Sequence, residues 1–234
     1  MPTIPKLDKT PLSYVHEETD LGITIDNKFK FSQHIEAKVN KANKIMGLIR
    51  RNFKYLVPEI FTKLYKALVR PHLEYGAVIW NPHMRKDIRL LEGVQRRATK
   101  QVNNLDEESY NERLSLLKLP TLVYRRGRGD MIECFKLLKG KYDPQVSDVL
   151  TLHQHATDSI RTRGHSLKLY SAKCRINCAK YYFSNRVTRI WNSLPEEVIA
   201  ADTINQFKNR LDSHWSKINI IYDFDNSLDY FHPE

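Results

Sequence analysis

The chain has 234 residues, of which 41% are hydrophobic and 28% are charged. This composition excludes an intrinsically disordered chain and predicts a folded protein of one or two domains. Lysine and arginine exceed aspartate and glutamate by 11, so we expect a polyanionic partner, with nucleic acid ahead of an anionic membrane.

No apolar run reaches the length of a membrane span, and the first residues contain no signal-peptide core. The three cysteines, Cys134, Cys174 and Cys178, do not form a disulfide framework because they cannot all pair. We therefore expect an intracellular protein, nuclear or cytoplasmic and not secreted. Metal binding by Cys174, Cys178 and His165 is an alternative to free thiols, although the paired C-x-x-C spacing of structural zinc sites is missing.

The N-terminal part begins with a loose lead-in, residues 1–18, and then alternates between residues 21 and 28. That alternation predicts a strand or hairpin with Asp26-Asn27 as a turn. After Ser32, which is a good N-cap residue, apolar side chains recur about every 3.5 positions and predict a helix. Pro58 suits the first turn of the next helix. Pro71 is expected to interrupt that helix because proline has no backbone N–H.

The stretch from residue 64 to 100 contains a second helical pattern after a Trp-Asn-Pro corner at 80–82. Ile88, Leu91 and Ala98 share its apolar face, with Val94 or Gln95 beside them. The opposite face is basic and carries Arg89, Arg96, Arg97 and Lys100. One face buried and one face cationic is the arrangement of a helix that lies on an acidic polymer, although a solvated surface gives the same pattern.

In the second half, Ser109 and Glu112 form a capping-box pattern that opens a short helix. Thr121 can cap a longer helix that stops at Lys139-Gly140. Apolar periodicity fades between residues 141 and 165, returns in a helix over 176–194, and appears again after a Thr203 cap. The predicted fold is mostly α, a helical bundle preceded by a short β-hairpin and followed by a second small, basic helical domain. The predicted segments are 1–31, 32–140, 141–218 and an acidic tail at 219–234.

Several motifs in this chain follow one another in the order of a known family. The segment LYKALVRPHLEY, the Trp-Asn-Pro corner and LEGVQRRATK resemble the region after the palm of reverse transcriptases from non-LTR retrotransposons, the LINE-type elements of the chicken-repeat and jockey kind. The resemblance runs roughly from Asp20 to Trp215. Its other motifs include Asp20-Leu21-Gly22-Ile23, Arg125-Arg126-Gly127-Arg128-Gly129-Asp130, Thr162-Arg163-Gly164-His165, Asn185-Arg186-Val187 and Trp191-Asn192-Ser193-Leu194-Pro195.

The resemblance implies an RNA-directed DNA polymerase whose palm holds Mg²⁺ on paired carboxylates. This chain has no Asp-Asp pair, so we expect the palm to lie upstream of Met1. The chain is then a truncated, C-terminal part with the palm end, a thumb-like bundle and a basic domain. We expect no catalytic residue, metal or cofactor in it and no activity alone, with Mg²⁺ only in the missing palm.

What remains is binding, because a thumb holds its substrate through phosphate contacts that do not read sequence. The resemblance implies RNA and DNA as partners, either template RNA or a primer–template duplex, together with the missing palm and fingers. We expect neither a membrane nor a small-molecule substrate. The segment 161–189 has eight lysines and arginines and no acidic residue. The candidate contacts are Lys38, Lys41, Lys44, Arg50, Arg51, Arg96, Arg97, Lys100, Arg125, Arg126, Arg128, Arg163, His165, Lys168 and Arg175.

Each of these hypotheses has an alternative. Some of Arg125, Arg126 and Arg128 can instead pair with glutamates or cap helix ends. Tyr181 and Tyr182 can stack on single-stranded bases, whereas Phe183, Trp80 and Trp191 are predicted to be packing residues. The alternative function is a standalone nucleic-acid-binding protein, or a protein-interaction domain whose basic face is merely solvated.

Overall fold

A computed structural model describes residues 6–7, 10–11, 14–143, 149–153, 164–171 and 173–233 of the chain. These residues are mostly helical, and an antiparallel hairpin precedes the helices. The predicted fold class is therefore confirmed. No helix in these ranges has both the length and the apolar character that crossing a lipid bilayer requires.

The N-terminal strands form two antiparallel pairs. Strand β1 (Lys6–Leu7) pairs with β2 (Thr10–Pro11), and β3 (Glu17–Asp20) pairs with β4 (Ile23–Asp26). The β3–β4 turn consists of Leu21 and Gly22, which both have positive φ values of 46° and 77°, as the tight turns of twisted hairpins require. The expected turn at Asp26-Asn27 follows the hairpin, because the Asp26 carboxylate accepts the backbone N–H groups of residues 28, 30 and 31.

Twelve helices follow in the described part of the chain. The first group comprises α1 (Ser32–Asn52), α2 (Pro58–Leu64), α3 (Arg70–Glu74), α4 (Ala77–Trp80), α5 (Arg85–Thr99), α6 (Tyr110–Leu117) and α7 (Leu122–Leu138). The second group comprises α8 (Asn177–Lys180), α9 (Phe183–Ser193), α10 (Glu196–Ile199), α11 (Ile204–Trp215) and α12 (Phe224–Phe231).

The expectation that Pro71 interrupts its helix is wrong. Residues Tyr65–Val69 form a π-helical turn that joins α2 to α3 without a break, and the Arg70 N–H donates to the Tyr65 carbonyl. Proline cannot donate to the ladder, and its ring clashes with the carbonyl one turn earlier. A wider turn immediately before Pro71 relieves both problems, so the helix continues to Glu74.

The predicted caps agree with the structure except at the start of α1. Ser109 and Glu112 form the reciprocal capping box of α6, and the Thr121 hydroxyl accepts the Tyr124 N–H at 3.0 Å at the start of α7. Ser32 is not an N-cap. It lies inside α1, and its hydroxyl donates to the Asp87 carboxylate at 2.8 Å, so it joins two helices instead.

The core consists of two clusters of buried side chains that meet within α7. The first contains the apolar faces of α1 to α6 together with Leu122 and Val123, and the second begins at Tyr124 and contains those of α9 to α11. The predicted boundary at residue 141 thus lies after α7, whereas the two cores divide inside this helix. Trp80 and Trp191 are fully buried, which confirms that they are packing residues.

The segment predicted as an acidic tail contains α12, which packs along α7. Phe224 and Leu228 enter the first core, and the Ser227 hydroxyl lies 2.9 Å from that of Thr121. The ring of Phe231 lies on Gly127, where a Cβ would be 2.2 Å from the nearest ring carbon. The end of the described chain is thereby fixed against the helix that joins the two cores.

Candidate nucleic-acid interface

Helices α1 and α5 lie side by side and run in the same direction. Ser32 at the start of α1 donates to Asp87 at the start of α5, and the Arg97 guanidinium donates to the Asn43 side chain at 3.2 Å further along. The two contacts have sequence separations of 55 and 54 residues. A nearly constant separation means that the helices are parallel, so their outer faces form one surface.

The outer faces of these two helices are predominantly basic, with Glu36 of α1 as their exposed acidic residue, and their opposite faces are buried. Ile35, Val39 and Met46 of α1 and Ile88 and Leu91 of α5 lie in the first core. Both carboxylates of α5, Asp87 and Glu92, are also buried, at 2% and 1% exposure. The exposed basic residues, named the α1–α5 surface from here on, are Lys41, Lys44, Arg50, Arg51, Lys86, Arg89, Arg96, Arg97 and Lys100.

None of these nine side chains forms an ion pair with another residue in the part of the chain that the structure describes. Arg96 packs its guanidinium 4.6 Å from the Tyr110 ring centroid and 5.6 Å from that of Phe224. These cation–π contacts orient the group but leave its charge uncompensated by any carboxylate. Lys38 differs, because its ammonium donates to the Gly22 carbonyl at 2.9 Å and supports the hairpin turn.

A buried polar network positions α5 against the following helices, and the sequence reasoning missed it. The Glu92 carboxylate accepts the Tyr110 hydroxyl at 2.6 Å and the Leu122 N–H at 3.0 Å, which caps α7. Burial raises the pKa of Glu92 and of Tyr110. The Gln95 amide donates to the Pro120 carbonyl and accepts the Tyr65 hydroxyl. The available signal was the spacing of Glu92 and Gln95, which places both polar residues beside Leu91 on the inner face.

The arginines of α7 do not join the α1–α5 surface. Arg125 pairs with Glu74, and Arg128 makes two hydrogen bonds of 2.6 Å to the Asp212 carboxylate. Arg126 is only 4% exposed and donates its Nε–H to the Asn81 side chain at 3.1 Å. Arg125 and Arg128 therefore pair with carboxylates, which was the alternative interpretation, and Arg126 is buried. We do not retain these three residues as phosphate contacts.

The last group of predicted contacts, Arg163, His165, Lys168 and Arg175, also contains both buried and exposed residues. Arg163 lies outside the described residues. His165 is 4% exposed, with its Nε2 3.0 Å from the Trp191 carbonyl oxygen, and burial lowers its pKa. It is therefore a packing residue and not a phosphate contact. Its partner is a main-chain carbonyl, which is why the absence of acidic residues nearby gave a misleading signal. Lys168 is half-buried and Arg175 is exposed.

Residues from three of the motif stretches meet between the two cores. Arg186 makes two hydrogen bonds of 2.9 Å to the Asp130 carboxylate, which also accepts the Asn81 amide at 2.9 Å. Arg186 also donates to the Val78 carbonyl. The ion pair is largely buried, with side-chain exposures of 12% and 7%. The network connects the Trp-Asn-Pro corner, α7 and α9.

The cysteines and the Tyr-Tyr-Phe triplet differ in their surroundings. Cys134 is buried, and the Cys174 sulfur lies 3.2 Å from the Asn185 amide nitrogen. Among the described residues, no group of three or more His, Cys, Asp and Glu side chains could hold a metal ion.

Phe183 is buried, which confirms its predicted packing role, whereas Tyr182 is 58% exposed. Tyr181 stacks on His83, with ring centroids 4.1 Å apart and an angle of 8° between the planes.

Comparison with known proteins identifies a relative without an assigned activity. The chain is similar to uncharacterized protein B0403.1 of Caenorhabditis elegans, with 30% identity over 132 residues. The aligned region covers 55% of this chain and 67% of the C. elegans protein. No protein-family model and no solved structure matches the chain.

Proposed function

The chain belongs to the same family as this C. elegans protein, and on that premise we propose that it holds the sugar–phosphate backbone of a nucleic acid through the α1–α5 surface. In this proposal it is the non-catalytic C-terminal part of the RNA-directed DNA polymerase of a LINE-type retrotransposon. It grips template RNA or the primer–template duplex inside the cell, while the palm carries the Mg²⁺ and the chemistry.

One observation supports the proposal above the others. Two parallel helices present nine cationic side chains on their outer faces, against one exposed carboxylate, Glu36 of α1, and both carboxylates of α5 are buried. A double-stranded nucleic acid carries one negative charge for about every 1.7 Å of its axis. Two adjacent rows of lysine and arginine suit such a dense line of charge, and they need no base contacts to do so.

The test measures affinity for a labelled blunt-ended duplex as a function of salt. Each phosphate contact releases counterions, so the logarithm of the binding constant should fall linearly with the logarithm of the salt concentration. The variant Lys44→Glu/Lys100→Glu reverses two exposed charges of the surface. We expect about a hundredfold weaker binding and a salt slope smaller by about two, for every duplex sequence tested.

The matched control is Lys141→Glu/Lys217→Glu, which changes the net charge equally at exposed positions that belong to neither α1 nor α5. It should reduce affinity only slightly, through the long-range field of the protein. Equal loss of affinity in both variants would contradict a defined surface. Binding that does not depend on salt would favour the alternative, a helical protein-interaction domain with a solvated basic face.

A further inference from the structure

Two cavities outside the α1–α5 surface share the stacked rings of His83 and Tyr181 as a wall. The first has a volume of about 660 Å³ and the second about 640 Å³. Asn81 and Asn185 also contribute to both cavities. These volumes lie in the range of small-molecule sites in proteins. The two cavities differ strongly in chemistry.

The first cavity is aromatic and apolar. Its lining includes Phe29, Phe31, Tyr142 and Tyr182, together with Ile79. Tyr182 and Ile79 are 58% and 57% exposed, so solvent has access to this lining. Exposed aromatic rings beside basic residues form stacking platforms for unpaired bases, because every base has a π face.

The second cavity is cationic. Its lining includes Lys180, Arg186 and Arg189, and Asp130 is its acidic residue among those that the structure describes. Asp130 already accepts two hydrogen bonds from Arg186 and one from Asn81. It is therefore not available to neutralise Lys180 or Arg189. The Lys180 ammonium lies 5.2 Å from the centroid of the Tyr181 ring, at the wall between the cavities.

Arg126 contributes N–H donors without partners near this region, although the carboxylates of Glu92, Glu74 and Asp130 act on its charge. Arg126 is buried behind Asn81, and neither of its two Nη atoms has a hydrogen-bond partner among the described residues. Buried guanidinium N–H groups without acceptors are costly. His232 lines the cavity, and its burial together with the charges of Arg126, Arg186 and Arg189 lowers its pKa to about 3.

We propose that the paired cavities bind one unpaired nucleotide of a single strand, with its phosphate in the cationic cavity and its base in the aromatic cavity. The inference rests on the proposed function and deepens it, because it adds a site for a nucleotide outside the duplex. A nucleotide joins a planar base and a phosphate through one sugar, which matches two dissimilar cavities on either side of a shared wall. A free phosphate or a lipid headgroup would leave the aromatic cavity unused.

The test uses the full chain and three probes, adenosine 5′-monophosphate, adenosine and ribose 5-phosphate, with affinity measured by calorimetry. We expect the monophosphate to bind at least tenfold more tightly than either fragment. Tyr182→Ala should weaken its binding by about fivefold or more through lost stacking. Lys180→Gln should weaken it by about tenfold through a lost charged hydrogen bond. A fourth probe, deoxyadenosine 5′-monophosphate, tests whether the site distinguishes a DNA nucleotide from an RNA nucleotide.

The matched controls are Tyr55→Ala, which removes an exposed ring elsewhere (67% against 58% for Tyr182), and Lys217→Gln, which removes an exposed charge elsewhere. Neither should change the affinity for the monophosphate. Nuclear magnetic resonance of His232 gives a second readout, because a bound phosphate should raise its pKa. Equal affinity for ribose 5-phosphate and the monophosphate would overturn the proposal in favour of a simple anion site. An unchanged affinity in Tyr182→Ala and Lys180→Gln would also overturn it.

The two proposals fail separately. Lys44→Glu/Lys100→Glu should lose duplex affinity but keep its affinity for the monophosphate. Duplex binding by the wild-type chain without monophosphate binding would overturn the nucleotide site alone. Monophosphate binding without duplex binding would support the nucleotide site and overturn the backbone grip.

Discussion

The α1–α5 surface and the arginines of α7 contain the same residue types but use them differently. Lys44, Arg51 and Lys100 are exposed and form no ion pair with any described residue. Arg125 and Arg128 of α7 instead pair with Glu74 of α3 and Asp212 of α11. The sequence shows two basic segments of similar density, and only the structure separates a surface for a partner from internal connections.

The position of each helix explains the difference. Helix α7 lies between the two cores and contacts α4, α5, α9, α11 and α12, so its side chains meet polar groups from several directions. Helices α1 and α5 each bury one face and leave the other to solvent. A guanidinium on an enclosed helix needs a partner because an unpaired buried charge is costly, whereas a guanidinium on an open face does not. Burial of the helix, and not charge density, decides the role.

Among the arginines that are enclosed between helices, we expect the largest effect when the Arg186–Asp130 ion pair is broken. Asp130→Ala leaves the Arg186 guanidinium buried without its carboxylate and removes the acceptor of the Asn81 amide. We expect the free energy of unfolding, measured by urea denaturation, to fall by about 3–5 kcal/mol. Asp106→Ala, in an exposed connection, should change it by less than about 0.5 kcal/mol. A loss below about 1 kcal/mol at Asp130 would contradict a structural role for the pair.

The same contrast exists within α1, between its outer lysines and His34 on its inner side. His34 is 1% exposed, and its Nδ1 accepts the Thr24 N–H at 3.1 Å. Burial, followed by the charge of Lys38, lowers the pKa of His34 to about 4. The unfolded chain takes up this proton near pH 6.5. The stabilisation is therefore complete above that pH and is lost as the pH falls toward 4.

We expect His34 to contribute a decline of about 1.4 kcal/mol per pH unit in the free energy of unfolding between these two values. The comparison is with His34→Gln, whose amide can accept the Thr24 N–H but does not titrate. Urea denaturation at several pH values should show the wild-type chain losing stability relative to this variant as the pH falls. A difference that stays constant from pH 7 to 4 would contradict the assignment.

Two glycines of α7, Gly127 and Gly129, allow a comparison between a packed and an open position of the same helix. A Cβ at Gly127 would lie 2.2–2.7 Å from three carbons of the Phe231 ring, whereas a Cβ at Gly129 would meet nothing within 4 Å. The Phe231 ring is itself packed edge-on against Trp215 and Tyr230, so these contacts must change if the ring moves away from a Cβ at Gly127. Gly127→Ala should therefore destabilise the protein by about 1–3 kcal/mol. Gly129→Ala should stabilise it by about 0.5–1 kcal/mol. Thermal unfolding of both variants checks the opposite signs.

Local patterns in the sequence predicted the helices, the capping box at Ser109 and the buried tryptophans, because each depends on neighbours within one or two turns. The π turn before Pro71 and the packing of α12 on α7 depend on tertiary contacts. The same limit applies to the candidate site, where local features were predictable and tertiary contacts were not. The outward faces of α1 and α5 follow from helical periodicity, whereas the partners of Arg125 and Arg128 are 51 and 84 residues away in the chain. No local pattern encodes such pairs.

The most direct comparison removes one charge from each region. Arg125→Gln removes the closer of the two arginine partners of Glu74, which keeps Arg70 at 3.8 Å. Because the Arg125–Glu74 pair is also partly exposed, at 32% and 21%, we expect a loss of about 1 kcal/mol in the free energy of unfolding. Its duplex affinity should not change. Arg51→Gln should leave the unfolding free energy within about 0.5 kcal/mol of wild type. It should also reduce the salt slope of duplex binding by about one. If the two variants exchanged these phenotypes, the backbone grip would belong to α7 and the distinction between enclosed and open helices would not hold.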